Sequence, residues 1–222
     1  MLSRVVHQCK QSQAQSCTVL TDHHAIIDHA QQLNIPVYET PGDCQSGTER
    51  IAHIIKQKDY LDTSIIVNVQ GDEPFIHPES IHQVADLLYQ HPSASIATLY
   101  QPITCQSSYY SPHCVKVVLN HRNEALYFSR APIPLYRDPL ASGSTLAYKH
   151  VGLYAYRASF LKALQELPNS PLETAESLEQ LRWLQADKRI VCAKAKHYAT
   201  MDINTPEDLI KAQEAYAQCQ MV

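Results

Sequence analysis

The chain has 222 residues, 45% of them apolar, which is enough for one large domain or two small ones with an ordinary core. Its formal charge is −4 and it has no run of Lys or Arg, so it lacks the basic patch expected of a nucleic-acid-binding protein. No apolar stretch approaches the roughly 20 residues of a membrane span, and the amphipathic start, MLSRVVHQCK, is unlike a signal peptide. We therefore expect a cytoplasmic protein without membrane or nucleic-acid partners.

The first ninety residues alternate between helical and strand patterns. They predict a helix over 2–9, a strand over 17–21, a helix over 25–33 and a short strand at 37–38. Ser46 is the predicted N-cap of the next helix, with Glu49 as its capping-box partner. A β-branched strand over 64–72 and a helix over 79–89 follow.

The second half of the chain departs from strict alternation. Strands are predicted over 96–99, 115–119, 125–128 and 150–157, with a loop at Gly143 and without intervening helices. Helices are predicted over 158–167 and 172–186, then a strand over 189–195. A closing helix begins at Thr205 and Pro206, an N-cap and a proline at the first helical position.

These elements predict an α/β fold with a doubly wound, mostly parallel sheet and right-handed crossovers. The strands of about 95–157 predict a small antiparallel insertion that covers one end of the sheet. No repeat, low-complexity tract or linker divides the chain, so we expect residues 1–222 to form a single domain.

Cysteine and histidine are frequent, but their spacing does not predict a metal site. The seven cysteines are scattered and form no C-x-x-C pair, which indicates reduced thiols. Cys17 and Cys192 lie in apolar runs and are expected to be buried. In the run DHHAIIDH, His24 and His29 are five apart with no third ligand at helical or finger spacing, which favours a solvated segment.

The segment SIIVNVQGDEP at 64–74 is the most informative stretch. Its apolar run is typical of a strand buried on both faces, and it ends at the acidic pair Asp72 and Glu73. Ligands of open α/β sheets bind beyond the carboxyl ends of the strands, where a carboxylate can hold Mg²⁺ against phosphates. On these residues alone, a solvated acidic turn is the commoner interpretation.

Seven segments together resemble one family, the 3-deoxy-manno-octulosonate (KDO) cytidylyltransferases, or CMP-KDO synthetases. In order, they are QSGTER (45–50), IIVNVQGDEP (65–74), VKVVL (115–119), EALYFSRAPIP (124–134), HVGLYAYR (150–157), LEQLR (178–182) and NTPEDL (204–209). The resemblance implies a nucleotide-diphospho-sugar transferase-like, Rossmann-like fold. It also implies Mg²⁺-dependent transfer of CMP from CTP to KDO with release of pyrophosphate, for lipopolysaccharide biosynthesis. The family is homodimeric, and we expect residues 95–157 to take part in dimerisation.

Carried over by position, the resemblance makes Asp72 the catalytic Mg²⁺ ligand. The nucleotide-binding residues it implies are Ser46, Gly47, Thr48 and Arg50. Exposed N–H groups at a helix start suit an anionic ligand. The alternative for these four residues is a plain helix cap.

The resemblance also implies a sugar-binding set. Its members are Gln70, Arg130, His150, Tyr154, Glu179 and Gln180. Arg130 is a catalytic candidate for the sugar carboxylate, because a guanidinium makes bidentate, charge-assisted contacts, although a buried structural ion pair is equally compatible. His150 and Tyr154 alternate on one face of a predicted strand with Gly152. On composition alone, Glu179 and Gln180 are an ordinary solvated helix face.

The chain departs from the family in two places. The family's first strand and its loop, roughly I-P-A-R-x-x-S-x-R-L-P-G-K-P, have no counterpart, and Met1 aligns with the helix after that loop. We expect the loss to weaken CTP binding and to leave strand neighbours unpaired. At 202–204, Asn204 replaces the expected second metal carboxylate, and Asp202, two residues away on the same side of an extended segment, is placed to compensate.

Three interpretations therefore stay open. The first is a KDO cytidylyltransferase whose natural product is longer at its N-terminus. The second is a shortened, catalytically impaired paralogue that acts as a non-catalytic dimerising or sugar-binding protein. The third keeps the enzyme class but changes the acceptor to a related ulosonic acid.

Overall fold

A computed structural model describes residues 1–138, 145, 147–197, 203 and 205–219. The described helices are α1 (Leu2–Gln11), α2 (His24–Gln32), α3 (Gly47–Gln57), α4 (Pro78–Gln90), α5 (Gln106–Tyr110), α6 (Ala158–Ala163), α7 (Pro171–Glu176), α8 (Gln180–Gln185) and α9 (Pro206–Cys219). The described strands are β1 (Val19–Thr21), β2 (Val37–Glu39), β3 (Ile65–Asn68), β4 (Ile96–Ile103), β5 (Lys116–Leu119), β6 (Ala125–Ser129), β7 (Ala147–Arg157) and β8 (Ile190–Lys194). A 3-10 turn at Leu164–Glu166 follows α6.

The described strands form two sheets. β1 and β2 make a parallel pair, and the other six form a mixed sheet in the order β6-β5-β7-β4-β8, with β3 also paired to β7. β3 and β4 both run antiparallel to β7, whereas β4 and β8 are parallel. The α/β class is confirmed. However, four of the six described pairings are antiparallel. Three of these four involve β7, which lies at the centre of the sheet instead of covering one end of it.

One edge of β1 and one edge of β3 have no strand partner among the described residues. β1 pairs only with β2, and β3 pairs only with β7. Helix α3 packs against both strands and so bridges the two sheets. Ile65, Ile66 and Val67 of β3 are only partly buried, although their pattern predicts a strand covered on both faces. Unpaired edges of this kind are templates for a further strand.

The large sheet is covered by helices on both faces, which is the doubly wound arrangement that the sequence predicts. The alternation of β7 sends Tyr154 and Tyr156 to one core and Leu153 and Ala155 to the other. The first core is completed by α3, α6 and α8, including the fully buried Trp183. The second is completed mainly by α4.

The helix predicted over 172–186 is wrong as a single element. The structure has two helices, α7 and α8, because Ser177 adopts a left-handed conformation with φ of 50° that ends the first of them. The break turns the carbonyls of Glu176 and Ser177 toward Arg130, and it aims Glu179 at α3. No glycine or proline marks this break in the sequence, so the helical pattern alone does not reveal it.

Six cysteines, at positions 9, 17, 44, 105, 114 and 192, carry free thiols, as predicted. Cys192 is buried, and burial raises the pKa of its thiol to about 12, whereas Cys17 is only partly buried.

Over the described ranges, every helix is too short or too polar to cross a bilayer.

Candidate active site

The end of β3 and the start of α3 meet at the expected edge of the sheet. Ser46 caps α3 by accepting a hydrogen bond from the backbone N–H of Glu49, as the capping box predicts. Gly47, the first helical residue, is exposed and faces the side chains that follow β3: a Cβ there would lie 3.6 Å from Asn68 Nδ2 and 3.8 Å from Gln70 Oε1. The nucleotide-side candidate Gly47 and the sugar-side candidate Gln70 are therefore neighbours.

Thr48 connects three elements through its buried hydroxyl. It donates to Glu179 Oε1 at 2.8 Å, and because it has a single hydrogen, the Tyr156 hydroxyl 3.0 Å away must donate to it. Burial raises the pKa of Glu179, and the hydrogen bond from Thr48 opposes that rise. Glu179 is thus not part of a solvated helix face, and Gln180 beside it is buried as well.

Asp72 lies in the turn after β3, where its carbonyl accepts a hydrogen bond of 3.0 Å from the backbone N–H of Ile203. This bond joins the QGDEP turn, which carries Asp72, to the segment that carries the other two predicted metal ligands. Those two residues, Asp202 and Asn204, are the chain neighbours of Ile203 and lie outside the described residues.

Arg50 has partners that tie α3 to the β1–β2 sheet. Its guanidinium pairs with Asp22 at 3.4 Å and also hydrogen-bonds to Thr40, which follows β2. About a fifth of the Arg50 side chain is exposed. The structure therefore places Arg50 beside the other candidates as an anchor between α3 and the loops of the small sheet.

His150 and Tyr154 lie on one face of β7, as predicted, and their contact depends on a bulge. In a regular strand, residues four apart are about 13 Å apart, yet the two ring centroids are separated by 5.1 Å. The register with β4 shifts between Thr98 and Leu99, so Gly152 and Leu153 have no opposite residues there. The Thr98 hydroxyl lies at the bulge, close to the carbonyls of residues 151 and 153 and 3.0 Å from His150 Nε2.

The buried His150 predicts a pH dependence of stability. Burial lowers its pKa to about 3, whereas the unfolded chain has a histidine pKa of about 6.5. The unfolded state then binds the proton more tightly, so the stability contributed by neutral His150 is present above about pH 6.5 and is lost as pH falls toward the folded pKa. In urea titrations at several pH values, we expect the free energy of unfolding of His150→Gln to fall less steeply with acid than that of the parent, by up to about 1.4 kcal/mol per pH unit. Parallel pH profiles would contradict the assignment.

Arg130 lies at a corner after β6 and is held by backbone carbonyls. Its guanidinium donates to the carbonyls of Glu176 at 2.7 Å, Pro112 at 3.1 Å and Ser177 at 3.3 Å. The carboxylate of Glu176 accepts from the Arg130 backbone N–H at 2.7 Å. Within the described part of the chain, three of its five N–H donors are engaged in this way, and one on each terminal nitrogen has no acceptor there.

Comparison with known proteins shows the family to which the chain belongs. A family model described as Cytidylyltransferase matches residues 1–190. The chain belongs to the cytidylyltransferase family. It is 44% identical over 221 residues to the 3-deoxy-manno-octulosonate cytidylyltransferase of Nitrosococcus oceani, covering 96% of this chain and 85% of the relative. It is 42% identical over 218 residues to the protein of the same name from Polynucleobacter necessarius subsp. necessarius, with coverages of 98% and 86%.

A solved structure agrees with these relatives. CMP:2-keto-3-deoxy-manno-octonic acid synthetase complexed with CTP superposes with a TM-score of 0.90 at 33% identity, covering 98% of this chain and 87% of that one. The present cytidylyltransferase therefore shares its fold with a relative that binds CTP.

Within this cytidylyltransferase, the predicted site residues divide by accessibility. Those at the surface or partly buried are Ser46, Gly47, Arg50, Gln70, Asp72, Arg130 and Glu179; those that are buried are Thr48, His150, Tyr154 and Gln180. One direct contact joins the two groups, since the buried Thr48 donates to Glu179.

Beside the candidate site lie two residues that sequence reasoning missed, Asn68 and Tyr156, and one that it named only as part of an acidic turn, Glu73. Asn68 and Glu73 are buried polar residues beside Gly47 and Gly152, and Tyr156 donates to Thr48. Their signals were present in the sequence: Asn68 is a polar residue within an apolar strand, and Tyr156 has the same parity along β7 as Tyr154.

Proposed function

We propose that this chain transfers a cytidylyl group from CTP to KDO, forming CMP-KDO and pyrophosphate in the synthesis of lipopolysaccharide precursors. The observation that carries the proposal is the junction between the Asp72 carbonyl and Ile203, which joins the acidic turn after β3 to the 202–204 segment in a fold whose relative binds CTP. The names of the two relatives supply the acceptor.

The donor set around this junction fits a hard divalent cation, and we propose Mg²⁺. Asp72, Asp202 and Asn204 offer only carboxylate and amide oxygens, which are the ligands that Mg²⁺ prefers, and Mg²⁺ is usually held by one or two carboxylates together with substrate phosphates. When bound, the cation would neutralise charge on the phosphate oxygens of CTP.

The reaction requires an in-line displacement at the α-phosphorus of CTP. The anomeric hydroxyl oxygen of the sugar forms a new P–O bond and gives its proton to solvent, while the bond to pyrophosphate breaks and pyrophosphate leaves with the electron pair. The protein contributes mainly by positioning the two substrates. On the nucleotide side, we propose Ser46, Gly47, Thr48 and Arg50, because the first N–H groups of a helix lack intrahelical partners and the start of α3 lies beside Gln70.

On the sugar side, we propose that Gln70 and Glu179 bind hydroxyl groups and that Arg130 binds the carboxylate. Among the described residues, Arg130 keeps one N–H on each terminal nitrogen outside its bonds to carbonyls, and a guanidinium can bind a carboxylate through two such donors. His150, Tyr154 and Gln180 form the wall behind this surface. The Tyr154 hydroxyl is buried without a hydrogen-bond partner among the described residues, and a substrate hydroxyl would supply one.

Replacing Tyr154 with Phe tests whether its hydroxyl binds KDO or whether the residue serves only in packing. Because its hydroxyl is buried and unpaired, its removal should leave the free energy of unfolding unchanged or slightly raised. If the hydroxyl binds KDO, the KM for KDO rises about tenfold, the equivalent of one hydrogen bond. Tyr156→Phe is the matched control, because its hydroxyl already donates to Thr48 and its loss should lower stability. An unchanged KM for Tyr154→Phe would assign that residue to packing alone.

We further propose a cytoplasmic homodimer whose contact involves the region 95–157. Leu126 on β6 and Tyr148 on β7 are exposed apolar residues of that region, 58% and 37% exposed. Such side chains are typical of an interface core. Analytical ultracentrifugation measures the mass directly, and a monomeric mass at assay concentrations would contradict the proposal.

Sugar binding without turnover is the second candidate function. It is favoured by the edges of β1 and β3 that have no strand partner in the described part of the chain, because a sheet open at the nucleotide-binding edge would position CTP less rigidly. A pyrophosphate-release assay with CTP, KDO and Mg²⁺, run beside calorimetric titration with KDO alone, separates the candidates. Release supports the cytidylyltransferase, whereas KDO binding without release supports the second candidate. Competition between KDO and related ulosonic acids identifies the acceptor.

A further inference from the structure

We propose that His77, Glu79 and His197 form a second cation site, selective for a transition metal ion of the Zn²⁺ class. One ligand atom from each of the three side chains lies within 4.8 Å of the other two. None of the three residues belongs to the segments that carry the family resemblance, and the proposal goes beyond the cytidylyl transfer proposed above.

The three ligands come from two parts of the chain that are firmly connected. His77 and Glu79 lie at the start of α4, and His197 follows β8. Gln83 of α4 makes two hydrogen bonds to the backbone just before His197. Its Nε2 donates to the Lys194 carbonyl at 2.9 Å, and its Oε1 accepts from the Lys196 backbone N–H at 3.0 Å. The ligand atoms are therefore held close before any ion binds, which lowers the cost of ordering them.

The ligand atoms are also near one another. The imidazole rings of His77 and His197 stack with centroids 3.7 Å apart and planes 11° from parallel, so one ring must rotate before the in-plane lone pairs of both can point at one ion. His197 Nε2 lies 2.7 Å from Glu79 Oε2, and both side chains are about 40% exposed, so an ion can reach them. A metal ion bound at this nitrogen would replace its hydrogen bond to Glu79, and the ring would then carry its proton on Nδ1.

The chemistry of the set decides the class of ion. Two imidazoles and one carboxylate are a known zinc combination that leaves a position open for water. Imidazole nitrogen suits zinc, copper and nickel, whereas Mg²⁺ prefers oxygen ligands. This site should therefore discriminate against the cation proposed for Asp72.

Two further local interactions oppose metal binding, and a substitution can remove or replace each of them. His77 Nδ1 accepts a hydrogen bond of 3.1 Å from the Glu79 backbone N–H and so caps α4. Coordination by either ring nitrogen ends this cap, since Nδ1 must then bind the metal or carry the ring proton. Lys196 Nζ lies 3.0 Å from Glu79 Oε1 and repels a cation at the carboxylate.

The experiment titrates the EDTA-treated full chain with Zn²⁺ by calorimetry in excess Mg²⁺, which occupies the site proposed for it. We expect one more equivalent of Zn²⁺ on the parent than on His197→Ala. His77→Asn, which keeps a side chain favoured at N-caps, should weaken binding at least about tenfold. Lys196→Met should tighten binding several-fold, because it removes the competing charge. His23→Asn is the matched control, because His23 caps α2 in the same way, with Nδ1 accepting from the Ala25 backbone N–H.

Co²⁺ absorption and Asp72→Asn complete the test. Co²⁺ bound at this site should show visible d–d bands without a thiolate charge-transfer band, and circular dichroism confirms that each variant is folded. Asp72→Asn should leave the Zn²⁺ titration unchanged, so a failure of the proposed transferase function is distinguishable from a failure of this site. Equal stoichiometry and affinity in the parent, His77→Asn and His197→Ala would overturn the proposal, as would Co²⁺ spectra dominated by thiolate.

Discussion

Replacing Asp72 with Asn is expected to lower the rate of pyrophosphate release from CTP and KDO by at least about a thousandfold, or about 4 kcal/mol of transition-state stabilisation. Asn is close in volume and keeps one oxygen ligand, so the change removes the negative charge of the side chain. The backbone carbonyl of Asp72, which accepts from Ile203, is unchanged by the substitution. The measurement is kcat/KM at several Mg²⁺ concentrations.

The control for this variant is Asp59→Asn, which removes the same charge from an exposed position after α3. It should have near-parent kinetics. Excess Mg²⁺ should recover part of the loss in Asp72→Asn, because an amide oxygen still ligates the cation but more weakly. A variant that retains near-parent turnover at limiting Mg²⁺ would show that Asp72 does not bind the catalytic cation.

Replacing Lys116 with Met is expected to lower the free energy of unfolding by at least about 3 kcal/mol. Lys116 is fully buried, and its ammonium group donates to three backbone carbonyls: Ser111 at 2.9 Å, Cys114 at 2.6 Å and Arg130 at 2.6 Å. Burial lowers the pKa of Lys116, and these three bonds replace its lost hydration. Met fills the same space but leaves the carbonyls without their donor. Urea denaturation measures the loss.

Lys162→Met is the matched control, because Lys162 forms an exposed ion pair with Asp62 at 2.8 Å. Exposed pairs contribute about 0–1 kcal/mol, so its effect should be small. Since Lys116 also holds the Arg130 corner, Lys116→Met should raise the KM for KDO if Arg130 binds the sugar carboxylate. Equal stabilities of the two variants would contradict the role assigned to the buried ammonium group.

The sequence predicted most elements of this fold because their local signals agree with their packing. The capping box at Ser46 lies where it is expected, and β3 begins within one residue of its predicted start but ends at Asn68, before the predicted end at residue 72. The central position of β7 could not be read from the chain, because its partners β3 and β4 are set by tertiary pairing and not by spacing. The same holds for the break at Ser177, where contacts with Arg130 accompany a left-handed residue that is not glycine.

The sequence predicts the accessible residues of the candidate site better than the buried contacts that support them. Asp72 and Gln70 follow a strand, which places them at the ligand edge by general rule. Glu179 was interpreted as solvated on composition, yet it is bound to the buried hydroxyl of Thr48 across more than a hundred residues. Contacts of that sequence separation leave no periodic signal.

Crystals grown with CTP and Mn²⁺ in place of Mg²⁺ test the central claim most directly, because anomalous scattering locates the ion without reference to any assay. The account predicts an anomalous peak about 2.1–2.2 Å from an Asp72 carboxylate oxygen, with phosphate oxygens of the nucleotide completing its coordination. Nucleotide bound at the start of α3 with no ion near Asp72, or an ion bound there without nucleotide, would contradict it.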